Sequence, residues 1–146
     1  NVMYHLVYTS HAVKPLDEDE LITLLKDARV FNQPHGVTGM LLYIQGKFMQ
    51  VLEGEKAIVW KLFKRISKDR RHHRVAVIME GDYPERIFKD WTMGFRRLTN
   101  DEAVELSGFK DIDEFFAHKH ITEDSNLLLI FLKLFYDRNM VEFADA

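Results

Sequence analysis

The chain predicts an α+β fold: a ferredoxin-like β-α-β-β-α-β-β sheet with two helices on one face, plus a C-terminal two-helix extension. Three observations predict it. Apolar residues alternate with a period of two in five short segments and recur at helical spacing in two segments between them. The dipeptide Gln45-Gly46 joins the second and third strand patterns as a hairpin. From Asn100 onward the pattern becomes helical and irregular.

The elements follow in order. A first strand is expected over residues 2–10, with Tyr4, Leu6 and Tyr8 on one face. Pro15 and the acidic run from Asp17 to Glu20 mark a loop and a helix N-terminus, where carboxylates complement the helix dipole. Leu21, Leu25, Ala28 and Asn32 share one stripe of that helix, which Pro34 and Gly36 end. Residues 37–44 form a second strand. A third carries Phe48, Gln50 and Leu52 on one face and closes at Glu53-Gly54. A second helix is expected from about Lys56 to Arg71, with Leu62, Ile66 and Asp69 in register. Residues 75–79 read as a fourth strand and 91–98 as a fifth, with Trp91, Met93 and Phe95 on one face. Residues 1–98 are therefore expected to form one domain and 99–146 a helical extension. Its last helix is apolar nearly all round from Leu127 to Phe135, which implies cover on more than one side.

Composition narrows the function classes. At 146 residues and 47% hydrophobic, the chain can bury one substantial core. A net charge of -3 gives no reason to expect nucleic acid or an acidic membrane as partner. Cysteine is absent, which excludes disulfides, thiolate metal sites and cysteinyl adducts and fits a cytoplasmic location. No run approaches the ~20 apolar residues that span a bilayer. The seven histidines show no metal-ligand spacing, so no metal is expected. His72-His73 is expected to cap carbonyls or face solvent. Gly36 and Gly39 precede a strand rather than a helix, so they do not form a phosphate loop.

Polar groups then stand where apolar ones belong. Gln50 lies between Phe48 and Leu52 on a strand face, and an amide buried there needs hydrogen-bond partners. Asn32 lies on the apolar stripe of the first helix, where the simplest reading is a C-terminal cap. Arg65 and Asp69 are spaced i,i+4 on the second helix, and the simplest reading is an ion pair along it. The combination supports more. If both helices cover one sheet face, Asn32, Arg65 and Asp69 line a slot between them, with Gln50 and Tyr8 as its floor. Leu24, Leu25 and Ile66 would supply apolar walls. Such a slot suits a planar heterocycle bearing carbonyl and ring N–H groups.

These residues carry a family resemblance. The chain resembles the BLUF domains, blue-light sensors using FAD, over about Met3 to Leu98. Four segments bear the weight: Leu6-Val7-Tyr8-Thr9-Ser10; Ala28-Arg29-Val30-Phe31-Asn32 followed by Gly36-Val37-Thr38-Gly39-Met40-Leu41-Leu42-Tyr43; Phe48-Met49-Gln50-Val51-Leu52-Glu53-Gly54; and Trp91-Thr92-Met93. The length is similar to that of the short, stand-alone members.

The resemblance implies non-covalently bound FAD, with Tyr8 as photochemical electron and proton donor and Gln50 as the bridge between Tyr8 and the flavin. It implies that Asn32 bonds the pyrimidine end of the ring, with Arg65 and Asp69 nearby, and that Leu24 and Ile66 enclose the ring. Trp91 and Met93 are implied as an output relay on the last strand. Ala28 and Phe31 depart from polar residues found in some members, so neither is assigned a ligand role.

The implied protein is not an enzyme. It would signal to a separate partner protein, is expected to form a homo-oligomer, and has no membrane or direct nucleic-acid role. Two other readings stand beside this one. A small ferredoxin-like flavin oxidoreductase lacks support from any nucleophile–base pair or nicotinamide fingerprint. A binding module without a ligand would be colourless.

Overall fold

The computed structural model describes residues 3–44, 46–86, 88 and 93–98. The expected extension over 99–146, and Trp91, lie outside the described residues. The elements are β1 (Met3–Ala12), α1 (Glu18–His35), β2 (Thr38–Ile44), β3 (Lys47–Gly54), α2 (Lys56–Ser67), β4 (His72–Tyr83) and β5 (Gly94–Leu98). The strands form one sheet in the order β4-β1-β3-β2-β5. The first four pair antiparallel, and β5 joins the edge of β2 in parallel. This is the expected ferredoxin-like order with one strand added. No helix among the described residues is long and apolar enough to cross a membrane.

Register sets the functional row. Tyr8 of β1 stands opposite Gln50 of β3, and Gln50 stands opposite Leu41 of β2. Side chains paired this way share a face, so Tyr8, Gln50 and Leu41 cross the sheet side by side. Both helices cover that face: Leu21 and Leu25 of α1 and Val59, Leu62 and Phe63 of α2 join Leu6, Phe48 and Leu52 in one buried cluster. Each such side chain contributes about 1.5–3 kcal/mol by burial.

The opposite face is buried too. Val7, Met40, Leu42, Met49 and Val51 are withdrawn from solvent there. Tyr4 to Ser10 is consequently buried without interruption. A polar network lies within this face. His5 Nε2 meets Glu53 Oε2 at 2.6 Å, with both side chains fully buried. Glu53 Oε1 also accepts from the Thr38 hydroxyl and the Phe88 backbone N–H, each at 2.9 Å. Arg86 donates to Thr38 Oγ1 at 2.8 Å and to the Gly36 carbonyl at 2.7 Å. A buried carboxylate requires such partners, and here they tie β1, β2 and β3 to the chain leading to β5.

The element ends refine the expected boundaries. Asp17 and Glu20 form a reciprocal capping box at the start of α1. Pro34 lies inside the last turn rather than beyond it, and Gly36 ends the helix at φ 68°, its N–H reaching the Asn32 and Gln33 carbonyls. The second helix stops at Ser67, four residues short of the expected end. The Lys68 and Asp69 N–H groups bond three residues back, to Arg65 and Ile66, which tightens the turn and closes the helix. β4 runs for 12 residues instead of the expected five. Two register shifts against β1, and Arg74 at φ 54°, break the two-residue period by which a strand is read from sequence. Because β5 begins at Gly94, Met93 precedes the strand on which it was expected.

Replacing His5 with Leu leaves the Glu53 carboxylate buried beside a hydrocarbon. Urea denaturation should show a loss of about 3–5 kcal/mol for His5→Leu, and a smaller loss for Glu53→Gln, which keeps hydrogen-bonding capacity without the charge.

Candidate functional site

A cavity of about 820 Å³, counting its open mouth, lies between the two helices and the sheet. Tyr8, Leu24, Asn32, Gln50, Arg65, Ile66 and Asp69, singled out from the sequence, all line it. So do Ala28, Phe31, Leu41, Phe48, Leu62, Arg71 and His72.

The floor is a hydrogen-bonded chain. Tyr8 is 3% and Gln50 5% exposed. The Tyr8 hydroxyl donates to Gln50 Oε1 at 2.5 Å. Burial, aided by the negative field of Asp69, pushes the Tyr8 phenol far above its ordinary range, so it stays protonated and acts as the donor. With its oxygen committed to Tyr8, the amide turns its Nε2 outward, where it donates to Met93 Sδ at 3.4 Å.

Met93 is buried, and its methyl rests over Gly39. A Cβ at Gly39 would stand 3.1 Å from Met93 Cε and only 1.9 Å from the Val51 carbonyl oxygen. The glycine is therefore required by close approach. From α1, the Arg29 guanidinium donates through Nε and Nη2 to the Met93 backbone carbonyl at 3.0 and 2.9 Å.

His72 braces the floor from β4. Its Nε2 meets the Ile66 carbonyl at 2.7 Å, and its Nδ1 meets Ser10 Oγ at 2.8 Å. A carbonyl only accepts, so Nε2 carries the proton and, in the neutral ring, Nδ1 accepts from the hydroxyl. His72 does cap a carbonyl, but as a lining residue of the slot.

The walls correct two sequence expectations. Arg65 and Asp69 do not form an ion pair along the helix. α2 has already ended at Ser67, which removes the i,i+4 geometry. Asp69 instead binds Arg71, with Oδ2 2.6 Å from Nη2 and Oδ1 2.9 Å from the backbone N–H. Those hydrogen bonds hold the Asp69 carboxyl below its ordinary range. Arg65 sits 5.4 Å from the Phe31 ring centroid, a cation–π contact. Phe31 also stacks on His35, with ring centroids 4.0 Å apart. Phe31, read as a lost polar contact, thus seats a charged one. Asn32 is 1% exposed, and its backbone carbonyl accepts the capping N–H groups of Gly36 and Val37. Gly36 supplies the left-handed cap, leaving the Asn32 amide to line the slot.

Sequence reasoning assigned Arg29 no role here and read His72 only as a carbonyl cap or a solvent-facing group. Arg29 and His72 act on groups far along the chain, and their spacing carries no local signal. The assembled slot has apolar walls, an amide at its floor, a second on its α1 wall, and a guanidinium and a carboxylate at its rim. That donor and acceptor set fits a planar heterocycle with carbonyl and N–H groups along one edge.

A family model described as BLUF, sensors of blue-light using FAD, matches residues 3–94. The photoactivated adenylate cyclase subunit beta-like protein FB of Euglena gracilis is 31% identical over 113 residues, 77% of this chain and 13% of that protein. Photoactivated adenylate cyclase subunit beta of the same organism is 35% identical over 89 residues, 60% of this chain and 10% of that protein. The chain spans about a tenth of the length of these curated relatives.

Solved structures are similar as well. The BLUF protein BlrB in its dark state aligns with TM-score 0.73 and 26% identity, over 92% of this chain and 97% of that one. BlsA in its ground state gives 0.71 and 27%, over 88% of each chain. Klebsiella pneumoniae BlrP1 with FMN and cyclic diGMP gives 0.58 and 29%, over 86% of this chain and 29% of that one.

The raised Tyr8 ionisation has a definite sign. A phenol that ionises less readily when folded contributes stability that is fully present below its unfolded value, near pH 10.0, and is lost as pH rises above it. Unfolding free energy should therefore fall above pH ~10, by up to about 1.4 kcal/mol per pH unit for this group, and Tyr8→Phe should fall less steeply. Urea denaturation across that range measures the difference.

Proposed function

The chain belongs to the BLUF family, sensors of blue light using FAD, and on that footing we propose that it senses blue light with FAD held in the slot between α1 and α2. One observation carries the reading: at the floor of that slot, a protonated phenol donates to an amide whose other end contacts Met93.

Leu24 and Ile66 are assigned to the faces of the ring, Asn32 to its pyrimidine edge, and Arg65 and Asp69 to the rim. A bound flavin would supply blue absorption and, when excited, a strong pull on an electron from a nearby phenol. Tyr8 provides that electron, and its hydroxyl proton moves to Gln50 Oε1 along the existing hydrogen bond. If the same proton returns to Tyr8, Gln50 is left as the amide, free to rotate. If Nε2 gives up a proton toward the ring while Oε1 keeps the one from Tyr8, and an electron and that proton then return to the phenoxyl, Gln50 is left as its imidic tautomer. Rotation would bring Oε1 to face Met93 Sδ. Two acceptors then oppose each other, and Met93 loses its hold on the amide. Hydrogen-bond rearrangements of this kind are worth about 1–3 kcal/mol, enough to bias an element with two arrangements.

Met93 and Trp91 are proposed as the relay to β5, and from there to a separate signalling protein, with a homo-oligomer as the working form. No enzymatic activity is assigned to the slot. A cytoplasmic location belongs to the same proposal, supported by the absence of cysteine. FAD is favoured over FMN by the family description, although BlrP1 was solved with FMN. Chromatography of the flavin released on denaturation identifies which one this chain takes.

Absorption spectroscopy tests the core of the reading. The purified protein should be yellow, and blue light should shift its flavin bands reversibly to the red. Tyr8→Phe and Gln50→Leu should each keep flavin bound and lose the persistent shift; a normal shift in either removes that residue's role. Met93→Ala and Trp91→Ala should keep the shift and weaken the light-dependent change in oligomer size measured by scattering. An unchanged response would remove the relay.

A further inference from the structure

We infer that Arg29 is a latch on the entry to β5: a positioning residue that holds the Met93 backbone in the resting state and lets it go when the Gln50 amide rearranges. The inference rests on the light-sensing reading and extends it from the amide to the backbone that carries the signal away.

Met93 is gripped at both ends. Its thioether receives the Gln50 N–H at 3.4 Å. Its carbonyl receives two N–H groups of one guanidinium, at 3.0 and 2.9 Å. The two grips differ in strength. A thioether is a weak acceptor, whereas a hydrogen bond donated by a charged guanidinium is about twice as strong as a neutral one. They also differ in reach. The Gln50 contact fixes only the end of a flexible side chain, so its loss alone moves a methyl and a sulfur. The Arg29 contact fixes the main chain one residue before β5, whose pairing with β2 begins at Gly94 opposite Met40.

Arg29 is built to serve as a fixed post. It sits on α1 three residues before Asn32, so the helix that lines the slot also carries the latch. It is not itself among the residues lining the slot. The bond spans 64 residues of sequence and joins the helix layer directly to the chain entering the edge strand. Displacing Met93 by its side chain alone leaves β5 where it was. Moving β5 requires the carbonyl to leave Arg29. Arg29 thereby sets the threshold between rearrangement at the amide and movement of the strand.

Isotope-edited infrared difference spectroscopy tests this on the flavin-loaded full chain, prepared with methionine carrying ¹³C at its carbonyl. The band of Met93 is the one lost from the labelled spectrum in Met93→Leu. In the wild type, blue light should move that band to higher wavenumber, as the carbonyl loses its donors. In Arg29→Ala the band should stand at the higher position already in the dark, and light should leave it there. Arg29→Lys, which retains one charged donor, should lie between. Amide exchange of Gly94 to Leu98 in the dark should be about tenfold faster in Arg29→Ala than in the wild type.

A wild-type band that light does not move overturns the latch, and so does a dark band in Arg29→Ala at the wild-type position. Should Arg29→Ala not fold, the wild-type band and Arg29→Lys decide. The two levels fail separately. A reversible red shift with a motionless Met93 carbonyl sinks the latch alone, while absence of the red shift in the wild type removes the light-sensing reading beneath it.

Discussion

A phenol and a primary amide buried in the apolar face of a sheet need hydrogen-bond partners, and here each serves the other. The Tyr8–Gln50 bond meets that demand and orders much around it. It fixes the β1–β3 register, since a slip of one residue would send the two side chains to opposite faces. It sets the amide's resting orientation as well, since the phenol donates its proton to the carbonyl oxygen. The outward N–H then needs an acceptor, and Met93 supplies one. A single buried donor thus dictates a row of contacts that ends at the edge of the sheet.

β3 carries a second polar commitment three residues later. Gln50 points toward the helices, while Glu53 is buried in the opposite face with His5, Thr38 and the Phe88 N–H. The two clusters differ in character. Glu53 is fully buried and held by several donors, so its arrangement resists change. Gln50 is neutral and can exchange its two ends at modest cost. The same strand holds one polar group that anchors and one that can rearrange, on opposite faces of a rigid sheet.

Much of this was legible in the sequence because polar residues interrupted apolar periodicity. Tyr8, Asn32 and Gln50 fell on stripes that had to face a core, and the hairpin at Gln45-Gly46 fixed which strands would be neighbours. What escaped was of two kinds. Arg65 and Asp69 obeyed a helical spacing that the chain abandons at Ser67, a boundary set by turn hydrogen bonds rather than by composition. Arg29, His5 and His72 act over tens of residues, where no periodicity reports a partner. The length of β4 was hidden by its bulges, which shift side chains between faces and erase the alternation.

The parallel seating of β5 has a mechanical consequence. Among the described residues it has one neighbour, β2, along a ladder of five pairs, whereas β1 and β3 are each held on both sides. Compliance is therefore unevenly distributed. Load applied at the centre of the sheet is shared among several ladders, and load applied at its rim is borne by one. An edge strand held by a single ladder can shift with less disturbance to the core than a strand held on both sides.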